Sequence, residues 1–516
     1  AWSEWGKDSL NFLDGMFAFV IYDKKKNSLI CVRDGFGIKP FFYSVDDNSL
    51  FFSSDIHALH ELSQKPKRVC YEKAYEYLIH GRYDNDELTF IENVKHLRPG
   101  YVLEYDCSEK KISEIYKWYI PNVIERDDLS FDQASELIRE TFIQNVRLQL
   151  RSDVPLGAAL SGGLDSSAVV CTMRYLEPNE QINTFSYIAK GSSVSEEKWV
   201  DYVNDYTNSV GYKVEASGKD LLKDLDDLIK CQGEPFMSTS IYAQYKVFKL
   251  AKSKGITVTL DGQGADELLA GYRGYPVQRI QSLIDKKDLR GLTKFMFEWP
   301  NWPGRSFSES IKFLTAAFVP KKLISLSEDF HVSYNPPDWL NKDMLMKYSV
   351  NNNYFEKSLK GRNVISRLAD SLQGNGLPQL LRHADRNSMN FSIESRVPFL
   401  TIPFADLALS LPEDFLISNN GETKSIFRSA MRGIVPDKIL DRKDKIGFAT
   451  PEEQWLVSIL PNLNEWLKVE TSISILNNNA VIEEFNKVLN GKKKFTWQIW
   501  RLINFIRWCQ IFDIDA

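Results

Sequence analysis

The sequence predicts an α/β protein in two parts, a layered β domain followed by a doubly wound parallel sheet that continues into a mostly helical region. Three patterns support this prediction. Short β-rich runs separated by turns fill residues 13–106, strand-like and helical runs alternate over residues 157–260, and helical spacing dominates beyond residue 381. Alternating strands and helices are typical of a parallel sheet with crossover helices. Residues 272–381 fit no template well.

The N-terminal runs are short and bounded by turn residues, as the strands of an antiparallel sheet are. They cover residues 16–22, 28–32, 40–43, 50–53 and 101–105. A polar stretch over residues 108–128 precedes residues 131–150, where apolar residues recur at helical spacing. This change of pattern predicts a boundary near residues 110–130, with one domain over residues 1–115 and a second over residues 130–516.

The second domain should contain at least four strands and four helices before residue 261. We predict the strands at residues 157–160, 182–189, 214–216 and 256–260. The helices should follow at about residue 167 and over residues 196–206, 221–230 and 240–252. In an open sheet of this kind, ligands bind in the loops at the carboxyl ends of the strands.

Composition narrows the class of protein. The chain has 516 residues, of which 43% are hydrophobic and 26% charged, as in ordinary globular proteins and unlike collagen-like or disordered chains. No apolar run approaches the roughly 18 residues of a membrane span, and a net charge of −5 without long single-sign blocks does not favour nucleic acid. Six cysteines without a C-x-x-C pair are typical of reduced thiols. We therefore expect a cytoplasmic protein without nucleic-acid or membrane partners.

The first candidate site is a glycine- and serine-rich loop between a predicted strand and a predicted helix. Its residues are Leu160, Ser161, Gly162, Gly163, Leu164, Asp165, Ser166 and Ser167. Glycines allow close approach of the backbone to a ligand, and a helix N-terminus attracts anions. The loop should therefore hold phosphate, with Asp165 as a ligand of Mg²⁺. It matches neither phosphate-binding pattern G-x-x-x-x-G-K-[ST] nor G-x-G-x-x-G.

The second candidate site also follows an apolar strand. It reads Asp261, Gly262, Gln263, Gly264, Ala265, Asp266 and Glu267. Here Asp266 would be a second carboxylate for a metal ion, opposite Asp165. A single glycine-rich acidic turn is usually a plain loop, but two such loops on one sheet favour a ligand site.

With these two loops, the chain resembles the glutamine-dependent asparagine synthetases, whose synthetase domain opens with S-G-G-x-D-S and carries S-G-E-G-x-D-E further on. The resemblance extends over essentially the whole chain. Further matching segments are residues 13–18, 33–40, 97–100, 385–389 and 394–400, Lys424 with Arg428, and Arg442 with residues 445–448. It implies the later part of an N-terminal-nucleophile glutaminase domain, followed by an ATP-pyrophosphatase-like synthetase domain.

The resemblance also implies roles for individual residues. ATP would bind along residues 160–167, with adenine near Tyr187 and near Asp261 and Gly262. Aspartate would attack the α-phosphorus, and ammonia derived from glutamine would convert the aspartyl-adenylate to asparagine. Lys445 resembles the lysine that stabilises the transition state of this attack. Glu394 is a candidate for the substrate pocket, and an ion pair of Glu394 with Arg396 is the structural alternative.

Three positions depart from the family pattern. Gln263 stands where a Glu is usual, Asp261 replaces a Ser, and Thr401 replaces an Asp. An amide can form hydrogen bonds but cannot act as a base. We still place Gln263 among the catalytic residues. The family's N-terminal Cys nucleophile would lie upstream of Ala1, and none of the six cysteines replaces it, so we expect the chain to be an N-terminally truncated form.

Four functions remain open at this point. An asparagine synthase is the simplest, with ATP, Mg²⁺, aspartate, and glutamine or ammonia as ligands, and with a possible homodimer. A related amidotransferase or cyclase would adenylate another carboxylate in a specialised pathway. An RNA-modifying enzyme would need a basic face or paired cysteines, which the sequence lacks. The fourth function is that of a catalytically silent binding protein, and the presence of Asp165, Asp266 and Lys445 argues against it.

Overall fold

The N-terminal part contains two antiparallel sheets. The computed structural model describes residues 1–192, 195–273, 275–319, 337–341, 359–443, 450–463 and 473–515. The strands of this part are β1 (Ala18–Asp23), β2 (Ser28–Arg33), β3 (Phe42–Val45), β4 (Leu50–Ser53), β5 (Lys95–His96), β6 (Tyr101–Asp106) and β7 (Lys111–Lys117). One sheet has the order β1-β2-β6-β7 and the other β4-β3-β5. Its helices are α1 (Trp2–Trp5), α2 (Ile56–Ser63) and α3 (Tyr71–Tyr75), with a 3-10 helix over Gly6–Phe12 and a π-helical segment over Glu76–His80.

The side chains of β2 alternate between two apolar clusters. Cys31 packs in a cluster that also contains Tyr43 of the second sheet, whereas Ile30 and Val32 pack in another cluster. Successive residues of a strand point to opposite faces, so period-two patterning buries both faces of β2. The two sheets thus form the layers that the sequence predicted.

The second part contains a five-stranded parallel sheet. Its strands are β8 (Leu156–Ala159), β9 (Asn183–Tyr187), β10 (Val210–Val214), β11 (Val258–Leu260) and β12 (Glu394–Arg396), in the order β10-β9-β8-β11-β12. Its first helices are α4 (Phe131–Gln149), α5 (Leu164–Leu176), α6 (Glu197–Thr207), α7 (Gly218–Gln232) and α8 (Ser240–Ser253). Residues of α4, α5 and α6 belong to one large apolar cluster and residues of α7 and α8 to another. This is the predicted doubly wound α/β fold.

The strand order reverses between β8 and β11. From β8 the chain moves outward to β9 and β10, then returns to place β11 on the other side of β8. Such a reversal opens a crevice at the carboxyl ends of the two central strands, where ligands bind in doubly wound folds.

Among the described residues, the remainder of the chain is mostly helical. The sequence predicted this beyond residue 381, whereas residues 272–381 fitted no template. Its helices are α9 (Ala265–Leu268), α10 (Pro276–Asp285), α11 (Leu289–Glu298), α12 (Phe307–Ala317), α13 (Asn363–Gln373), α14 (Leu377–Asn390), α15 (Ile402–Ser410), α16 (Glu413–Leu416), α17 (Ser425–Ala430), α18 (Asp437–Leu440), α19 (Glu452–Leu463), α20 (Asn478–Leu489) and α21 (Trp497–Phe512), with a 3-10 helix over Trp299–Asn301. Within the described residues, no helix combines the length and the apolar character needed to cross a membrane.

Three element assignments from the sequence need correction. Strand β10 lies at Val210–Val214, not at residues 214–216, and pairs along its length with β9. The stretch over residues 108–128 contains β7, which pairs with β6 as far as Lys117. Strand β12 was not predicted, because three largely polar residues carry no strand pattern; it pairs in parallel with β11.

Polar contacts join the two parts. Lys39 lies 3.0 Å from the Asp385 carboxylate, and the Tyr119 hydroxyl donates to Asp406 at 3.0 Å. Inside the N-terminal part, the fully buried Lys73 contacts Glu76 at 2.7 Å and Asp86 at 2.8 Å. Such buried charges are tolerated because each has partners of opposite charge.

Candidate functional site

The two glycine-rich loops meet at the carboxyl ends of β8 and β11. Residues 160–163 follow β8 and residues 261–264 follow β11. The loops touch at Gly262, where an added Cβ would lie 2.9 Å from the Ser166 amide nitrogen and 3.1 Å from the Asp165 carbonyl carbon. Only glycine allows this approach, so the crevice predicted from the strand order is lined by both motifs.

The first loop leaves the N-terminus of α5 without a side-chain cap. Gly163 is the N-cap residue and makes no side-chain hydrogen bond there, whereas Ser130, Ser217 and Ser306 form capping boxes at other helices of the chain. The first amides of a helix have no intrahelical partners, and together with the helix dipole they attract anions. This end of α5 is therefore suited to a phosphate group.

The serines of the loop differ in their surroundings. The Ser161 and Ser166 hydroxyls lie 3.0 Å apart, and the Ser161 amide donates to the Ser166 oxygen at 3.1 Å. Ser167 and Leu160 are buried, with exposed fractions of 0% and 1%. Ser161 and Ser166 thus shape the loop, while Ser167 and Leu160 are buried beneath its surface.

A lysine joins the two predicted metal ligands. The ammonium of Lys424 contacts the Asp165 carboxylate and lies 2.6 Å from Oδ1 of Asp266. Lys424 is 2% exposed. Both carboxylates therefore lie close enough to contact one cation, and their role as metal ligands stays a prediction.

The backbone around Lys424 holds the side chain in place. Lys424 has a left-handed conformation with φ of 57°, and the Arg428 amide donates to its carbonyl at 2.9 Å. Gly271 lies against the cluster, since an added Cβ there would be 1.7 Å from Oδ1 of Asp266 and 2.5 Å from Cε of Lys424. Left-handed backbone in a residue other than glycine is often found at functional sites.

Arg442 forms hydrogen bonds with the first loop and with the residue before α6. Its guanidinium donates to the Gly162 carbonyl at 2.7 Å and to the Glu196 carboxylate at 2.7 Å. It also lies 4.3 Å from the centre of the Trp199 ring. Gly162 itself has φ of 80°, and an added Cβ would lie 2.8 Å from Cβ of Trp199. Loop, arginine and α6 are thus packed together.

Two acids of the second loop region have raised pKa values. Burial raises the pKa of Asp261 to about 6, although the amides of Gln263 and Gly262 donate to its carboxylate. Burial and the adjacent Asp266 carboxylate raise the pKa of Glu267 to about 7. Both carboxyl groups therefore hold a proton at higher pH than an exposed acid does.

Gln263 lies in the loop that follows β11, whereas Tyr187 lies at the end of β9. The side-chain oxygen of Gln263 is buried and has no hydrogen-bond partner among the described residues. Tyr187 is the last residue of β9, and its buried ring packs edge-on against Trp455 at 6.1 Å. Tyr187 is thus at the carboxyl end of the strand next to β8, and its place near the nucleotide stays a prediction.

Glu394 is not brought to either loop. It is paired with Val258 at the start of β11, and its carboxylate accepts from Arg396 at 2.8 Å. Arg396 also donates to the carbonyls of Gln149 and Arg151, which precede β8. These contacts favour the structural ion pair, and the catalytic role of Glu394 stays a prediction.

Comparison with known proteins agrees with this geometry. The model of the asparagine synthase family matches residues 137–510, and the glutamine amidotransferase domain model matches residues 1–119. The chain belongs to the asparagine synthase family. This family forms amides in an ATP-dependent reaction.

Several relatives of this family cover most of the chain. Asparagine synthetase [glutamine-hydrolyzing] 1 of Bacillus subtilis is 28% identical over 98% of this chain and 79% of its own length. A putative asparagine synthetase [glutamine-hydrolyzing] 2 of Methanocaldococcus jannaschii is 31% identical over 60% of this chain and 63% of its own. Amidase chry2 of Gibberella zeae is 23% identical over 88% of this chain and 72% of its own.

One predicted residue of this asparagine synthase family member, Lys445, lies outside the described residues. Described residues on both sides of it form hydrogen bonds with other segments of the chain. Arg442 contacts the first loop, and the Glu452 carboxylate accepts from the Ser240 amide at 3.0 Å and from the Thr239 hydroxyl at 3.1 Å. The role of Lys445 stays a prediction.

Sequence reasoning gave no role to three residues of this site. Lys424 and Arg442 belong to segments that resemble the family, but their contacts with Asp165 and Gly162 depend on tertiary structure. Glu196 lies just before α6 and was assigned only to a helix. A lysine or arginine in a polar stretch usually lies in solvent, so composition alone gives no signal for these residues.

Proposed function

We propose that the protein uses ATP to activate the side-chain carboxylate of aspartate and transfers ammonia to it. The products would be asparagine, AMP and pyrophosphate. The single observation that carries this proposal is the meeting of the two loops at the strand reversal, where Asp165, Asp266 and Lys424 converge beside the uncapped end of α5. This arrangement offers amides for phosphate and carboxylates for a cation.

The nucleotide would bind with its phosphates along residues 161–166 and its adenine near Tyr187 and residues 261–262. Asp165 and Asp266 would hold Mg²⁺, because magnesium in nucleotide sites takes one or two carboxylates together with phosphate oxygens. The described residues contain no cluster of three or more metal-ligating side chains. Magnesium in nucleotide sites keeps phosphate oxygens and water as its other ligands. When bound, the ion would neutralise charge on the departing pyrophosphate.

The reaction has two steps. A carboxylate oxygen of aspartate forms a bond to the α-phosphorus, and the bond to the bridging oxygen breaks, releasing pyrophosphate toward residues 161–166. Ammonia then attacks the acyl carbon, AMP leaves, and a proton passes to solvent. Lys445 would stabilise charge in the first step. Glutamine would supply the ammonia, a homodimer is proposed as the assembly, and the cytoplasm as the location.

The second candidate is a related enzyme that activates a different carboxylate. Gln263 favours this candidate, since its buried oxygen lacks a partner among the described residues and its amide cannot act as a base. The similarity to a protein named as an amidase adds support. If Gln263 selects another acceptor, Gln263→Glu should increase activity with aspartate.

The test follows oxygen from aspartate into AMP. The chain is incubated with Mg-ATP, ammonium and aspartate labelled with ¹⁸O in its side-chain carboxylate, and pyrophosphate, asparagine and AMP are measured. Adenylation predicts one ¹⁸O atom in each AMP and equal amounts of the three products. Asp165→Asn should lower turnover by about a hundredfold or more, since it removes a charge that acts on the transition state.

Each outcome separates the candidates. Labelled AMP and asparagine would support aspartate as the acceptor. ATP binding without aspartate-dependent pyrophosphate would refute aspartate and favour the second candidate. Unlabelled AMP would refute adenylation, and full turnover of Asp165→Asn would refute the role of that carboxylate.

A further inference from the structure

The ammonium of Lys424 lies where the two loops offer their carboxylates. It contacts Asp165 and lies 2.6 Å from Asp266. These are the same two side chains that are suited to a divalent cation. One positive group of the protein and a metal ion therefore have the same ligands.

Lys424 has little freedom to move away. Its side chain is 2% exposed. The left-handed backbone of Lys424 is held by the Arg428 amide, and Gly271 closes against the lysine stem at a distance that leaves no room for a Cβ. A long side chain that stays at the carboxylates acts as a fixed charge.

A fixed ammonium changes the affinity of the site for metal. A divalent cation bound to Asp165 or Asp266 would lie a few ångströms from Nζ, where like charges repel in a partly buried site. The hydrogen bonds that Nζ donates also occupy carboxylate oxygens that the metal would need. Phosphate groups would offset both effects, because they bring negative charge for the ammonium and oxygen ligands for the metal.

We propose that Lys424 competes with a divalent cation for Asp165 and Asp266, so that the protein binds the metal tightly only together with a nucleotide. This inference rests on the proposed function in one respect, namely that nucleotide and metal share this site. It assigns to Lys424 the role of a positioning residue that makes metal binding depend on phosphate.

The experiment measures Mn²⁺ binding without nucleotide. Free Mn²⁺ gives a sharp electron paramagnetic resonance signal that is lost on binding, so the dissociation constant follows from titration of the full chain. Lys424→Met removes the charge and keeps the apolar stem. We expect this variant to bind Mn²⁺ tighter than the wild type by on the order of tenfold or more. Lys424→Gln carries the same expectation and serves if Lys424→Met does not fold.

Two control variants test whether the gain in Mn²⁺ affinity comes from the carboxylates at Lys424. The double variant Lys424→Met with Asp266→Asn should lose the gain, because one of the two carboxylates is removed. Lys39→Met removes a lysine that contacts an aspartate at 3.0 Å but lies at the junction of the two parts of the chain. It should leave Mn²⁺ binding unchanged, since it does not touch the crevice.

Each result either supports or overturns the inference about Lys424. No gain in Lys424→Met and Lys424→Gln would overturn the inference, as would a gain that persists after Asp266→Asn or an equal gain in Lys39→Met. A gain confined to the Lys424 variants would support it even if aspartate gives no asparagine. In that case only the acceptor carboxylate of the proposed function would be wrong.

Discussion

Adding a single methyl group at Gly262 should push the two loops apart. In Gly262→Ala, the new Cβ would lie 2.9 Å from the Ser166 nitrogen and 3.1 Å from the Asp165 carbonyl carbon. Unstrained contacts of this kind are about 3.5–4.0 Å long. Both contacts are with backbone at the start of a helix, so neither neighbour can rotate away. The second loop must shift by roughly 0.5 Å or more.

This shift should lower both stability and turnover. Overpacking in a well-packed region costs about 1–3 kcal/mol, and the backbone conformation of Gly262 adds no strain of its own, since it is not left-handed. Misplacing catalytic groups by about 1 Å can cost a hundredfold in rate. For half that shift we expect about a tenfold fall in pyrophosphate release.

The assay compares Gly262→Ala with Gly163→Ala. At Gly163 an added Cβ would meet only the Ser161 hydroxyl, at 3.4 Å, which is an ordinary contact. Exchange of a glycine N-cap for alanine costs at most about 1 kcal/mol. The melting temperature should therefore fall clearly for Gly262→Ala and little for Gly163→Ala. Pyrophosphate release and ATP affinity are then measured for Gly262→Ala and the wild type.

Two results would refute the reasoning. If Gly262→Ala melts and turns over as the wild type does, the loops are not in contact in the working protein. If Gly163→Ala melts as early as Gly262→Ala, the effect comes from adding any methyl group near the crevice and not from the contact between the loops.

Three further predictions concern buried charged or titratable side chains. Arg442→Met removes a donor from the Gly162 carbonyl and from the Glu196 carboxylate, so it should lower the free energy of unfolding by about 3 kcal/mol. Combined with Glu196→Gln it should cost less than the sum, by about 1 kcal/mol in urea denaturation, and simple additivity would contradict the coupling. Burial and neighbouring guanidinium groups lower the pKa of His96 to about 3. Below the ordinary histidine pKa of 6.5, the unfolded chain therefore binds a proton at this side chain that the folded protein does not bind. Stability should be complete above pH 6.5 and should fall as the pH drops toward 3, by up to about 1.4 kcal/mol per pH unit; His96→Gln should flatten this slope in melts at pH 4–7, and parallel curves would show that His96 is not responsible. Lys73→Met leaves two carboxylates without their buried ammonium and should cost about 3–5 kcal/mol, measured by urea denaturation, so unchanged stability would disprove that ion cluster.

The class of fold could be predicted from the sequence because the pattern is local. Strand-like and helical runs alternate, and the two glycine-rich motifs follow apolar strands. Parallel strands have their carboxyl ends at one edge of the sheet, so Asp165 and Asp266 were expected at the same edge. In the structure both contact Lys424, which agrees with that expectation, while the metal itself stays a prediction.

The strands and contacts that the sequence did not predict depend on residues that are far apart in the chain. Strand β12 has three residues, Glu394–Arg396, and becomes a strand only because β11 is there to pair with it. Strand β10 lies at the sheet edge, where partial exposure weakens its apolar pattern. Burial of Lys424 follows from packing against Gly271, a residue more than a hundred positions earlier in the chain. No local pattern carries this information.

The site combines opposite charges from different regions of the chain. The sheet and its two loops supply Asp165, Asp266 and the amides of α5, whereas Lys424 and Arg442 come from the helical region that follows. Each cation compensates a feature of the loops that is costly by itself, namely a pair of close carboxylates and a buried carbonyl. The helical region is therefore part of the binding site and not only a support for it. A ligand that brings phosphate and metal offers negative charge to the fixed ammonium of Lys424 and oxygen ligands to the metal, so the proposed competition makes metal binding depend on phosphate.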